Sequence, residues 1–129
     1  MKISSLARGI NHPLSTIHFA LSICLFAAGC SSKTSTVLGE APSGQPQTIV
    51  AARDVRPPSV VTLEGVLIEK CPTAGCWFRL RDQSGVIMVD TKAAGFTVTG
   101  VPLNTRLTVA GKMTAPAGEP TLEATGLRY

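Results

Sequence analysis

Two cysteines, Cys71 and Cys76, are the residues of this chain whose type and spacing most directly suggest chemistry. They enclose four residues in the segment Cys-Pro-Thr-Ala-Gly-Cys. Pro72 presets a turn and Gly75 supplies a permissive backbone, so the cysteines are expected to flank a hairpin loop with their Cα atoms within disulfide range. We therefore predict a disulfide, which in so small a loop contributes about 2 kcal/mol by the chain-entropy treatment.

The same pair of sulfurs supports two other interpretations. Two thiolates can bind a soft metal such as Cu(I) without imidazole, and Met88 or Met113 would add a thioether ligand. The pair can also be a redox-active dithiol, although reactive dithiols usually have two intervening residues and a helix N-terminus beside one thiol. Lys70 and Arg79 are the nearby cations that would lower a thiol pKa here. Disulfide, copper site and redox pair all remain open.

A second candidate site lies on the strand that follows the cysteines. Strand alternation places Trp77, Arg79 and Arg81 on one side and Phe78 and Leu80 on the other, which is the expected core side. An aromatic ring beside arginines can stack a base or a sugar, so the first three residues are candidate ligand-binding residues. The other interpretation is that Trp77 packs on the hairpin while both arginines face solvent.

Composition argues against catalysis and against nucleic acid as a partner. Both histidines, His12 and His18, precede Cys30, which leaves the later chain without the usual general base or a Ser-His or Cys-His nucleophile. From Cys30 onward the chain has ten Lys and Arg and eight Asp and Glu, a formal net charge of +2. Nucleic-acid binding generally requires clustered Lys and Arg. We therefore expect a protein that is not an enzyme and does not bind nucleic acid.

The N-terminal segment predicts an exported, lipid-anchored protein. Lys2 and Arg8 precede an apolar run at residues 17–28, a pattern typical of a secretory signal and too short for a membrane-spanning helix. The segment ends in Ala-Ala-Gly-Cys and resembles the lipobox of bacterial lipoproteins. That resemblance implies lipidation of Cys30 with acyl chains such as palmitate, and Ser31 after it implies the outer membrane, facing the periplasm. An ordinary secreted protein cleaved at this site is the alternative.

The remaining chain predicts one small all-β domain behind a flexible tether. Residues 31–47 are rich in Ser, Thr, Gly and Pro, and residues 48–59 are a short strand or helical turn before a Pro-Pro break. Five strands are expected at Val60–Glu69, Cys76–Arg81, Val86–Asp90, Thr105–Met113 and Leu122–Tyr129. A helical turn near residues 92–95 separates the third strand from the fourth. This order favours a five-stranded OB-like barrel, although an SH3-like barrel or open sandwich has a similar pattern. The predicted boundaries are 1–29 for the signal, 30–59 for the lipidated cysteine and tether, and 60–129 for the barrel.

The hairpin also carries a family resemblance. Its Cys-Pro-x-x-Gly-Cys-Trp segment, followed by a Val-rich strand, Gly95-Phe96 and Glu123–Gly126, is similar to a family of small bacterial envelope domains of unknown function. That resemblance implies an OB-like fold and an envelope setting, with no established reaction. The sequence therefore predicts a non-catalytic binding module that presents the Trp77 side to an envelope protein or a small ligand. The alternative is a Cu(I)-binding or thiol-redox protein acting through Cys71 and Cys76.

Overall fold

The computed structural model describes residues 33–129, so Cys30 and the predicted signal lie outside the described residues. Its elements in chain order are β1 (Val37–Gly39), α1 (Ile49–Arg53), β2 (Val60–Lys70), β3 (Trp77–Arg81), β4 (Val86–Asp90), β5 (Arg106–Thr114) and β6 (Thr121–Arg128). A single 3-10 turn at Pro116–Gly118 joins β5 to β6. Within this described part, no helix has the length and apolar character needed to cross a membrane.

Five of the strands close into a mixed β-barrel. β2 pairs antiparallel with β3 and with β5, β3 pairs antiparallel with β4, and β5 pairs antiparallel with β6. A parallel pair between β4 and β6 completes the ring. A small closed barrel with this connectivity is OB-like, which confirms the predicted fold class.

Alternation along each strand fills the barrel interior with aliphatic side chains. On β3, for example, Phe78 and Leu80 are buried, whereas Arg79 and Arg81 face outward. The largest fully buried side chains are those of Phe78, Ile49, Leu63, Leu67, Leu80, Ile87, Leu107, Met113, Leu122 and Leu127. The core is therefore the inner face of the barrel, and the outer faces are left for solvent or ligands.

The strand predictions agree with the structure to within one residue at every end. The predicted helical turn near residues 92–95 is a single hydrogen-bonded turn, in which the Gly95 N–H donates to the Lys92 carbonyl oxygen at 3.3 Å. Gly95 has a φ of +74° and ends this turn. The α-helix of the described domain is α1, which precedes all five barrel strands.

The segment predicted to be a flexible tether is largely folded against the barrel. β1 pairs antiparallel with β6, and α1 buries Ile49 and Ala52 completely in the core. Gly126 permits this close approach, because a Cβ atom there would collide with the backbone of Glu40. The amino-acid composition predicted a flexible segment because β1 and α1 are too short to be stable by their own propensity. Packing against the barrel stabilises them instead. The folded part therefore begins near Val37 and not at the first barrel strand.

Candidate functional site

The cysteine loop joins β2 to β3 at one end of the barrel. Cys71 follows the last residue of β2, and its N–H donates to the Trp77 carbonyl oxygen at 3.0 Å. Cys76 precedes β3, and its carbonyl oxygen accepts the Thr91 N–H at 3.0 Å. The predicted hairpin is therefore present, with each cysteine at the end of a strand.

The loop between β4 and β5 supports the cysteine loop. Lys70 Nζ donates to three carbonyl oxygens of that loop, those of Val98, Thr99 and Val101, at 3.4, 2.8 and 2.6 Å. The Val98 N–H donates to the Gly75 carbonyl oxygen at 2.9 Å. Gly75 has a φ of +57°, and a Cβ atom there would come within 2.6 Å of Thr99 Oγ1 and 2.8 Å of Thr99 N. A glycine is therefore needed at this position.

The Cys71 sulfur lies beside the Thr73 hydroxyl of its own loop. Thr73 Oγ1 is 3.5 Å from Cys71 Sγ, and the Gly75 N–H donates to the Cys71 carbonyl oxygen at 3.3 Å. The Thr73 hydroxyl, followed by the backbone N–H groups of Ala74 and Thr73, lowers the pKa of the Cys71 thiol from 9.0 to about 6, against the opposing effect of desolvation. Cys71 is partly exposed, so this sulfur remains open to solvent.

The cations that the sequence analysis assigned to the thiols are engaged elsewhere. The Lys70 ammonium lies on the carbonyl oxygens of the β4–β5 loop, and Arg79 Nε forms an ion pair with Glu69 Oε2 at 3.2 Å. Hydrogen bonds, and not a neighbouring positive charge, therefore favour the Cys71 thiolate.

The structure contains Cys71 and Cys76 as thiols that lie near each other without a bond. The disulfide is thus not confirmed, and it stays a prediction.

Neither methionine joins the two cysteines in a copper site. Met113 is 1% exposed and packs in the core. Met88 lies opposite Arg79 in the β3–β4 ladder, three residues along β3 from Cys76, which corresponds to about 10 Å of strand. Among the described residues there is also no group of three or more His, Cys, Asp or Glu side chains placed to bind a metal ion. Copper binding through Cys71 and Cys76 stays a prediction.

The three outward residues of β3 do not form one site. Trp77 is half-buried and lines a cavity of about 290 Å³. Arg81 instead lines a separate cavity of about 430 Å³, together with Glu64 and Arg106. Arg79 lies between them on the strand and is paired with Glu69 at the exposed surface. The strand face was predicted correctly, but the structure divides it.

The cavity beside Trp77, called the Trp77 groove below, lies where the outer faces of β3 and β4 meet the β5–β6 loop. Its other lining residues are Met88, Asp90, Lys92, Pro116, Glu119 and Thr121. Trp77 lies opposite Asp90 in the strand register. The sequence analysis placed Asp90 at the end of the third strand and missed Lys92 and Glu119 as groove residues, because only the closed barrel brings the β5–β6 loop to Trp77.

Carboxylates outnumber cations at the Trp77 groove. Asp90 Oδ2 lies 3.7 Å from Lys92 Nζ, and Asp90 Oδ1 accepts the Lys92 N–H at 2.8 Å. Glu119 adds an exposed carboxylate, and Glu123 lines an adjoining cavity of about 570 Å³ that shares Asp90 and Lys92. An aromatic face beside an excess of carboxylates is suited to a cationic group.

Comparison with solved structures finds a similar fold. A structure described as the hypothetical protein ygiW from E. coli matches with a TM-score of 0.53 and 22% sequence identity, over 68% of this chain and 92% of that one. No protein-family model and no curated protein matches this chain. At this identity the likeness concerns the fold alone, and it supports the OB-like barrel.

Proposed function

We propose that this protein is an envelope lipoprotein whose OB-like domain is a non-catalytic binding module for a protein or small ligand. In this proposal Cys30 carries the lipid and anchors the protein to the outer membrane, facing the periplasm. The observation that carries the binding function is the Trp77 groove itself. In OB-like barrels, ligands bind on the second and third barrel strands and on the two loops that flank them. Here these parts are β3, β4, the cysteine loop and the β5–β6 loop.

The chemistry of the groove favours a ligand with a cationic group. The half-buried Trp77 ring supplies an apolar face with a negative quadrupole, and Asp90 and Glu119 supply carboxylates in the same groove. Among the residues that line this groove, Lys92 is the single cation, and it is paired with Asp90. A lysine-bearing or arginine-bearing segment of an envelope protein, or a small amine, fits this arrangement.

The experiment uses Trp77 as its own reporter, because it is the only tryptophan of the chain. Tryptophan emission is titrated with a tetralysine peptide and, separately, with a tetraglutamate peptide. We expect saturable change with tetralysine only. Glu119→Gln should weaken the Kd about 2- to 5-fold, as expected for losing roughly 0.5 to 1 kcal/mol of charge attraction at an exposed site. Glu40→Gln removes the same charge outside the groove and should leave the Kd unchanged.

A second variant separates binding from folding. Trp77→Ala, followed by calorimetric titration with the same peptide, should lose binding while its thermal unfolding remains cooperative. If the Trp77→Ala protein does not fold, Trp77 is a core residue and is not available for ligand binding. Equal responses to the two peptides would contradict the cationic specificity.

A further inference from the structure

The cysteine loop places Cys71 where its thiolate is stabilised. The Thr73 hydroxyl lies 3.5 Å from the Cys71 sulfur, and Cys71 is partly exposed. Once that sulfur is ionised, it can only accept, so the Thr73 hydroxyl becomes a donor to it. The Gly75 N–H donates to the Cys71 carbonyl oxygen at 3.3 Å, which closes the loop around Thr73.

The loop that carries Thr73 is held in place before any reaction occurs. Gly75 is fixed by the Val98 N–H, and the residue before Cys71 is fixed by the contacts of Lys70 with the β4–β5 loop. Stabilising the thiolate therefore requires no rearrangement of the loop. Cys76 differs, since it lies next to β3 and its carbonyl oxygen is tied to Thr91. Two nearby sulfurs in unlike surroundings, with four residues between their cysteines, suit a nucleophilic and a resolving cysteine.

We propose that Cys71 and Cys76 are a reversible redox pair, in which Cys71 exchanges with the thiols of a partner dithiol and Cys76 is the resolving cysteine. This activity is separate from binding in the Trp77 groove, and either proposal can fail without the other.

The exchange proceeds in two displacements. A thiolate of the partner attacks Cys71 Sγ in the oxidised pair, so a mixed disulfide forms, the Cys71–Cys76 bond breaks, and Cys76 Sγ leaves with the electron pair and takes a proton from water. A second partner thiolate then attacks the partner sulfur of the mixed disulfide. The partner disulfide forms, and Cys71 leaves as its thiolate. Two electrons have passed from the partner dithiol to the protein, and a small disulfide such as glutathione disulfide restores the pair by the reverse steps.

The surroundings of Cys71 set the preferred direction of this reaction. Donors that stabilise the Cys71 thiolate stabilise the reduced protein and also make Cys71 a good leaving group. Both effects favour transfer of the disulfide out to the partner. The low pKa of Cys71 agrees with this direction, since the thiol is largely ionised at neutral pH.

Trapping with glutathione assigns the two roles. The wild-type protein and the Cys76→Ser and Cys71→Ser variants, all expressed from the full sequence, are incubated with glutathione disulfide at pH 7. Intact-mass measurements then follow the formation of the glutathione adduct. We expect the Cys76→Ser variant to form the glutathione adduct about tenfold faster or more, since its remaining thiol is the stabilised one. The wild-type protein should instead form a Cys71–Cys76 disulfide that reduced glutathione opens again. Equal adduct rates in the two variants would refute the assignment, and so would a wild-type disulfide that reduced glutathione never opens.

Thr73 supplies a test that a purely structural loop would not pass. In the Cys76→Ser background, the alkylation rate of Cys71 by iodoacetamide is followed from pH 5 to pH 9. Its midpoint should lie near pH 6, in line with the Cys71 pKa, should move to higher pH in Thr73→Val, and should return in Thr73→Ser. Circular dichroism confirms that each variant is folded. An unchanged midpoint in Thr73→Val would show that the hydroxyl does not stabilise the thiolate, and would overturn the proposal.

Discussion

Asp82 illustrates how one side chain can hold two elements that are distant in sequence. Its Oδ1 accepts the N–H and hydroxyl of Ser84 and the N–H of Gly85, which closes the β3–β4 turn. Its Oδ2 accepts the Ile49 N–H at 2.8 Å, at the first residue of α1. The Asp-Gln-Ser-Gly segment that begins at Asp82 is typical of a turn, so the first role is visible in the sequence. The second role is not visible there, because nothing local links residue 82 to residue 49.

The protonation of Asp82 should therefore affect stability. Partial burial acts to raise its pKa, but hydrogen bonds from Ser84, Ile49 and Gly85 outweigh it, so the pKa lies below the ordinary value of 3.8. A carboxyl with a lowered folded-state pKa stabilises the fold fully above its unfolded-state pKa, and that contribution is lost as the pH falls through the folded-state value. Asp82→Asn should lower the free energy of unfolding at pH 7 by about 1 to 2 kcal/mol.

Urea unfolding at pH 7 and at steps from pH 5 to pH 2 measures this effect. The difference between wild type and Asp82→Asn should be constant above about pH 5 and should shrink below pH 4 as the wild-type carboxyl is protonated. Glu40→Gln removes an exposed carboxylate elsewhere in the described chain and should change the free energy of unfolding little at any pH. A difference that does not depend on pH would mean that Asp82 acts by shape alone.

Among the elements, the five barrel strands were predictable, whereas α1 was left open between a short strand and a helical turn. β3 and β4 each alternate strictly between buried and exposed or partly exposed residues, and this period is visible in five residues. α1 has only five residues, so it has no full helical period of its own. Thr48 caps it locally through the Ala51 N–H at 3.2 Å, but the remaining contacts come from the β3–β4 turn and the barrel. Its position was therefore determined by tertiary contacts.

The docking of α1 gives a direct test of where the domain begins. Ile49 is 0% exposed in the barrel core, whereas the next residue, Val50, is 48% exposed. Ile49→Ala should lower the free energy of unfolding by about 2 to 4 kcal/mol, as expected for truncating a buried Ile. Val50→Ala, the same kind of truncation on the other face, should change it by less than about 0.5 kcal/mol. Equal small effects in urea unfolding would show that the segment before β2 is a tether after all.

The sequence pattern predicts which residues share the outer face of β3, but it does not predict which cavities they line. Alternation on β3 groups Trp77 with Arg79 and Arg81, because it reports only which side a residue faces. Barrel closure then places Glu119 of the β5–β6 loop in the Trp77 groove and Arg106 in the cavity of Arg81. These partners are separated by long stretches of chain. The grouping of side chains into cavities therefore depends on topology that a strand pattern does not contain.

The predicted lipid anchor would place this barrel at a membrane surface, and Cys30 is the residue that tests it. Lipidation with two or more acyl chains gives stable anchoring, because each buried methylene contributes about 0.8 kcal/mol. The wild-type protein should therefore fractionate with membranes, resist release by high salt and be released by detergent. Cys30→Ala should lose this behaviour and lack the mass of the lipid. Cys24→Ala removes the cysteine inside the predicted signal and should behave like wild type. If Cys30→Ala still fractionates with membranes, and its mass differs from that of wild type only by the substitution, the lipid anchor on Cys30 is refuted.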